Sequence, residues 1–102
     1  MRPVTREAKI EAAYVEHQEA TQRFELVRTL SDERGSIGPV SGVLTWAIND
    51  LGRTGLILAR LRAHALGMGD VRNISGAGTL AHLDREQWQV RLSQTAAPRM
   101  QA

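Results

Sequence analysis

The residues able to do chemistry are few, and their spacing excludes most reactions. His17, His64 and His82 stand apart along the chain, and none has a carboxylate placed to orient it as a general base. There is no cysteine, so thiolate catalysis, thiolate metal sites and disulfides are ruled out together. No two histidines lie four apart, the spacing that would put two metal ligands on one helix face. Asp84 and Glu86 are two apart and diverge on a helix. Ser75-Gly76-Ala77-Gly78-Thr79 holds a Gly-x-Gly, but neither the preceding strand nor the lysine of a nucleotide loop accompanies it. The expectation is a protein that is not an enzyme and needs neither metal nor cofactor. What remains is Leu51-Gly52-Arg53-Thr54-Gly55, read as a tight hairpin between two helices. Gly52 suits a turn with positive φ. A helix starting at Thr54 would turn free N–H groups outward, where a phosphate could sit. Arg53 would add charge and Thr54 a hydroxyl donor. Asp50, just before Leu51, opposes that arrangement by charge.

The elements that would position this hairpin are helices. Thr5 can cap a helix over 5–33, whose apolar and small residues recur from Ile10 through Tyr14, His17, Phe24 and Val27 to Leu30. Such a helix is about 43 Å long at 1.5 Å per residue. It overhangs a domain of this size, leaving its first half to be exposed or to pair with another chain. Gly35 to Pro39 reads as a linker. A second helix runs from Pro39 or Val40 to Asp50, and a third from Thr54 to Leu66 with Arg60 and Arg62 off its apolar face. Residues 70–78 form a second turn-rich segment, and Thr79 is placed to cap a last helix ending near Leu92. Trp46 and Trp88 each sit among Leu and Ile and read as core, Trp46 with partial exposure because Thr45 and Asn49 flank it. No strand alternation and no repeat is present. The organisation expected is a long N-terminal helix (1–35), a helical DNA-binding domain (36–94) and a flexible tail (95–102).

Composition narrows the partner. At 102 residues the chain is one modest core's worth of protein, with one Phe, one Tyr and two Trp, so Leu, Val, Ile and Ala must fill it. Net charge is +2 but uneven: residues 1–51 hold six basic and eight acidic groups, residues 52–102 seven basic and three acidic. Basic excess beside a hairpin points to a polyanion. Twelve of the thirteen basic residues are arginine, which codon bias would equally explain. No run reaches the ~18 apolar residues of a membrane span, and the N-terminus lacks a signal peptide's apolar stretch. A cytoplasmic protein with no membrane partner is expected.

The order of these pieces resembles the actinobacterial integration host factor family of nucleoid proteins. The resemblance covers about residues 8–92. It is carried by Ser31-Asp32-Glu33, Val40-Ser41 with Leu44, Leu51-Gly52-Arg53, Leu66-Gly67-Met68 and Arg72-Asn73-Ile74-Ser75-Gly76-Ala77-Gly78. It implies an all-α fold in which a long N-terminal helix precedes a small helical domain with a helix–two-turn–helix motif. It also implies two phosphate contacts on double-stranded DNA: Gly52, Arg53, Thr54 and Gly55 at the first, and Arg72, Asn73 and Ser75 at the second. The function expected is an architectural protein of the nucleoid that grips duplex backbone with little sequence preference and serves DNA compaction or recombination. Two other readings stand beside it. One is a protein-interaction module acting through residues 5–33. The other is a helix-turn-helix regulator with Thr54–Leu61 as recognition helix.

Overall fold

A computed structural model describes residues 5–34, 39–68 and 79–101, and among them there is no strand. The all-α expectation holds. Three long helices carry the fold: α1 (Arg6–Arg34), α2 (Pro39–Ala65) and α3 (Arg85–Gln101). A short helical turn over 79–81 precedes α3.

Local chemistry sets the ends. Thr5 caps α1, its Oγ1 accepting from the Ala8 N–H at 3.1 Å. α2 stops in a Schellman arrangement: Met68 N–H donates to Ala63 O at 3.0 Å and Gly67 N–H to His64 O at 3.1 Å. That closure needs a left-handed residue, and Gly67 supplies it at φ 75°. α3 starts later than expected. Thr79 serves only the short turn, where His82 N–H donates to its carbonyl. The cap of α3 is Asp84, whose Oδ1 accepts from Gln87 N–H at 2.7 Å while Gln87 Oε1 accepts from Asp84 N–H at 2.9 Å. This reciprocal box satisfies two N–H groups at once. α3 then runs to Gln101, so most of the stretch expected as a tail is helical.

α2 overturns the expected hairpin. The second helix, the turn at Leu51–Gly55 and the third helix are one helix of 27 residues. The reason is the apolar spacing. Leu44, Ala47, Leu51, Thr54 and Leu58 follow one another at three and four residues, so a single straight stripe faces α1. A turn at 52 would divide that stripe and lose its burial. Gly52 and Gly55 accept helical dihedrals at about 1 kcal/mol each relative to alanine, a cost that packing of the stripe outweighs. Neither glycine has positive φ.

α1 and α2 lie antiparallel. His17 meets Thr54 and Arg23 meets Asp50, so position rises in one helix as it falls in the other. Ala20 of α1 and Ala47 of α2 are both fully buried. The core joins the first half of α1 (Ile10, Ala13, Tyr14) to the second half of α2 (Leu58, Ala59, Ala63, Leu66), with Leu80, Ala81 and Trp88 over them. The first half of α1 is therefore the covered half, contrary to expectation, because α3 folds back against it. Arg62, expected off the apolar face, is buried at 1% exposure. It is clamped between Tyr14 and Trp88, its guanidinium carbon 5.4 Å and 5.1 Å from the ring centroids. Its Nη1 donates to the carbonyls of Leu80 and Leu83 at 2.7 Å. Burial lowers its pKa, though not enough to make an arginine neutral.

Candidate interaction face

The structure separates the residues of the expected phosphate clamp by role. Gly52 is exposed, with nothing within 4 Å of where a Cβ would stand. Arg53 is 63% exposed and reaches back to Asp50, Nη2 to Oδ1 at 3.1 Å. Thr54 is buried at 2% exposure, and its hydroxyl donates back to Asp50 O at 3.0 Å. Gly55 is buried against α1, where a Cβ would come within 3.1 Å of His17 Cε1. No helix begins at 54, so the N–H groups of 52–55 are spent inside α2 on its own i to i−4 bonds. The first phosphate clamp is therefore not built. Arg72, Asn73 and Ser75, expected at the second contact, lie outside the described residues.

Thr54 and His17 have the distance of a nucleophile and its base, Oγ1 to Nδ1 at 3.0 Å. Their roles run the other way. The threonine hydroxyl gives its proton to a backbone carbonyl, so it accepts from His17 Nδ1–H. Burial first, then electrostatic interaction with His82 and Arg62, lowers the His17 pKa and so disfavours the protonated ring. The pair locks α1 to α2.

Asp50 organises the surface that the sequence reading assigned to a phosphate. At 8% exposure its carboxylate is the acceptor for two arginines from opposite sides. Arg23 of α1 places Nη2 at 2.8 Å and Nε at 3.2 Å from Oδ2, and Arg53 takes Oδ1. The Arg23 hydrogen bonds, joined by those of Arg53, hold this carboxyl below the usual carboxylate range against the opposing effect of burial. The charge that would repel a phosphate is thus already neutralised inside the protein.

Around this network lies an apolar face. At about 100° per residue, Val43, Trp46, Asp50, Arg53 and Ile57 fall on one stripe of α2, at spacings of three and four. Trp46 is 56% exposed, and Val43 and Ile57 are exposed with it. Leu26 and Leu30 of α1 are also exposed. On the same side, Ala12 and Glu16 of α1 flank Ile57 and Leu61. α3 covers the other side of the hairpin, where Arg85 Nε binds Glu11 at 2.8 Å and its guanidinium lies over Tyr14. A cleft of about 450 Å³ opens there among Tyr14, Arg62, Arg85 and Trp88, where Arg85 is engaged with Glu11 and Arg62 with backbone carbonyls.

Sequence reading missed the stripe of Val43, Trp46 and Ile57. Its signal was present as a second three-and-four spacing one position before the buried stripe, hidden because the expected hairpin divided it. Among the described residues no group of three His, Asp or Glu could hold a metal ion, and no helix is long and apolar enough to cross a membrane. No protein-family model, no curated protein and no solved structure matches the chain.

Proposed function

We propose that this chain acts by binding, not by catalysis, as a helical protein-interaction module whose working surface is the open face of the α1–α2 hairpin. The observation that carries the reading is the exposure of Val43, Trp46 and Ile57 at coiled-coil spacing, on the side away from α3. An exposed tryptophan beside arginines on a rigid helix has the composition of an interface anchor. The expected module of residues 5–33 enters in altered form, because α1 contributes Arg23, through its bond to Asp50, to a face that α2 dominates. The test is a photo-crosslinking residue at position 46, compared with one at the exposed position 94 on α3. Adducts of discrete mass from position 46 that vanish on Val43→Glu, with none from 94, support the reading. Equal adducts from both positions refute it.

A second reading, a backbone binder of double-stranded DNA, is favoured by one observation. Arg53, Arg60 and His64 are exposed at spacings that place them along one outer edge of α2. Arg72, Asn73 and Ser75 remain the second contact that the family resemblance implies, and a nucleoid location, with compaction or recombination as the process, would follow. Anisotropy of a random duplex of about 30 base pairs at 50 and 200 mM salt decides it. Binding that falls steeply with salt and is lost on Arg53→Ala/Arg60→Ala favours DNA.

A further inference from the structure

Resting on the interaction-face reading, we infer that the occupant of this face is a second copy of the chain, paired about a two-fold axis that passes between Asp50 and Arg53 with the α2 helices antiparallel.

The order of side chains along the stripe is the ground for this. Apolar residues (Val43, Trp46) come first, then an acid (Asp50), then a base (Arg53), then an apolar residue (Ile57). Two antiparallel copies pair each residue with the one mirrored across the axis, and a two-fold interface must be self-complementary in this way. The mirror of Asp50, whose carboxylate is 8% exposed and already held by Arg23 and Arg53 of its own chain, is the partner's Arg53, which is opposite in charge. The mirror of Trp46 is the partner's Ile57, apolar on apolar. The mirror of Val43 falls beside the partner's Arg60 and the partner's Leu61, where an arginine stem covers apolar surface. Parallel pairing would set the exposed Arg53 against Arg53, a like-charge contact that disfavours that arrangement.

Arg53 is well placed to bridge: it holds Asp50 through Nη2 while the side chain stays 63% exposed. The size also fits. Twenty-seven residues of α2 span about 40 Å, and two helices side by side are about 20 Å wide. The face is on the order of 800 Å², which is what one partner contributes to a standard interface.

The register makes a directed test possible, using two exposed positions that leave the core intact. Sedimentation equilibrium of the full chain from roughly 1 to 200 µM should give a dimer with a dissociation constant in the micromolar range. Trp46→Lys and Ile57→Glu should each weaken that dimer at least tenfold, because a charge then faces an apolar side chain twice per dimer. An equimolar mixture of the two should restore dimer mass. In the mixed dimer the introduced lysine of one chain faces the introduced glutamate of the other, and the second mirrored contact keeps its native Trp46 and Ile57. Circular dichroism checks that each variant keeps the wild-type helical signal, and Val43→Glu stands in for either that does not. A wild-type monomer at 200 µM, variants that dimerise as well as wild type, or a mixture that stays monomeric would each overturn the inference. Adducts of position 46 with a different protein, alongside a monomeric wild type, would overturn self-pairing and leave the interaction-face reading standing. No face-specific adduct at all would remove both.

Discussion

Replacing Gly52 with alanine distinguishes a continuous α2 from the hairpin that the sequence suggests. In the structure Gly52 lies mid-helix, without positive φ, and a Cβ there meets nothing within 4 Å. Alanine then gains the full difference in helix propensity, about 0.8–1.0 kcal/mol. For a domain of about 100 residues, 1 kcal/mol moves Tm by roughly 4–8 °C, so an increase of about 4–6 °C is expected. At a turn with positive φ the same methyl would cost about 1–2 kcal/mol, and Tm would fall. The two structures therefore predict opposite signs separated by ~2–3 kcal/mol, well outside the error of a thermal melt followed by helical circular dichroism. Gly42→Ala, also in α2 with open space around its Cβ, should give a similar gain. Gly55→Ala should not, because its Cβ would press on a His17 ring that Thr54 holds in place. A drop in Tm for Gly52→Ala, with a rise for Gly42→Ala, would refute the continuous helix.

Other perturbations follow from the same contacts. Arg62→Met keeps the apolar stem but strips the Leu80 and Leu83 carbonyls of their donor and the Tyr14 and Trp88 rings of their cation, so urea unfolding should show a loss of about 2–4 kcal/mol. His17 has a lowered pKa in the fold, so the unfolded chain binds more protons as the solution is acidified. Stability should be complete above about pH 6.5 and decline below it, and Tm of the His17→Gln variant should be flat between about pH 7.5 and 5. Asp50 and Glu11, with pKa values lowered by Arg23 and Arg85, should add their losses in more acidic solution, as pH falls through the ordinary carboxylate range and below it. Arg85→Ala breaks an exposed ion pair with Glu11 and removes a cation from the Tyr14 ring, so Tm should fall by an amount comparable to the rise from Gly52→Ala.

The helical class was legible because apolar spacing at three and four residues persists through the chain, and because Thr5 announces the start of α1. The end of α2 was legible in Gly67, the start of α3 much less so. Asp84 and Gln87 have the spacing of a capping box, but Thr79 offered a competing cap before the same apolar run, and only the packing of Arg62 against the Leu80 and Leu83 carbonyls decides between them. The break at Gly52 was the main misreading. Two glycines three apart look like punctuation, and local propensity favours a turn there. What overrides it is burial on α1, a partner remote in sequence: Thr54 on His17, Leu58 in the core, Gly55 small enough to let His17 approach. No local rule contains those contacts.

Asp50 shows how this misreading carried through to function. Beside a hairpin it is an isolated negative charge that weakens a phosphate site. Inside one helix it stands three residues before Arg53 and across from Arg23, and its carboxylate becomes the centre of a neutralised network. The same residue that argues against a polyanion at positions 52–55 then argues for a neutral, partly apolar surface, because its two arginines are used internally instead of being offered to solvent anions. Removing Asp50 therefore acts on both readings in opposite directions. Asp50→Asn frees Arg23 and Arg53, raising affinity for a duplex if this face binds DNA, and weakening association if the face pairs through opposite charges. A variant that binds DNA more tightly without loss of self-association would show that the network serves only the monomer's own fold.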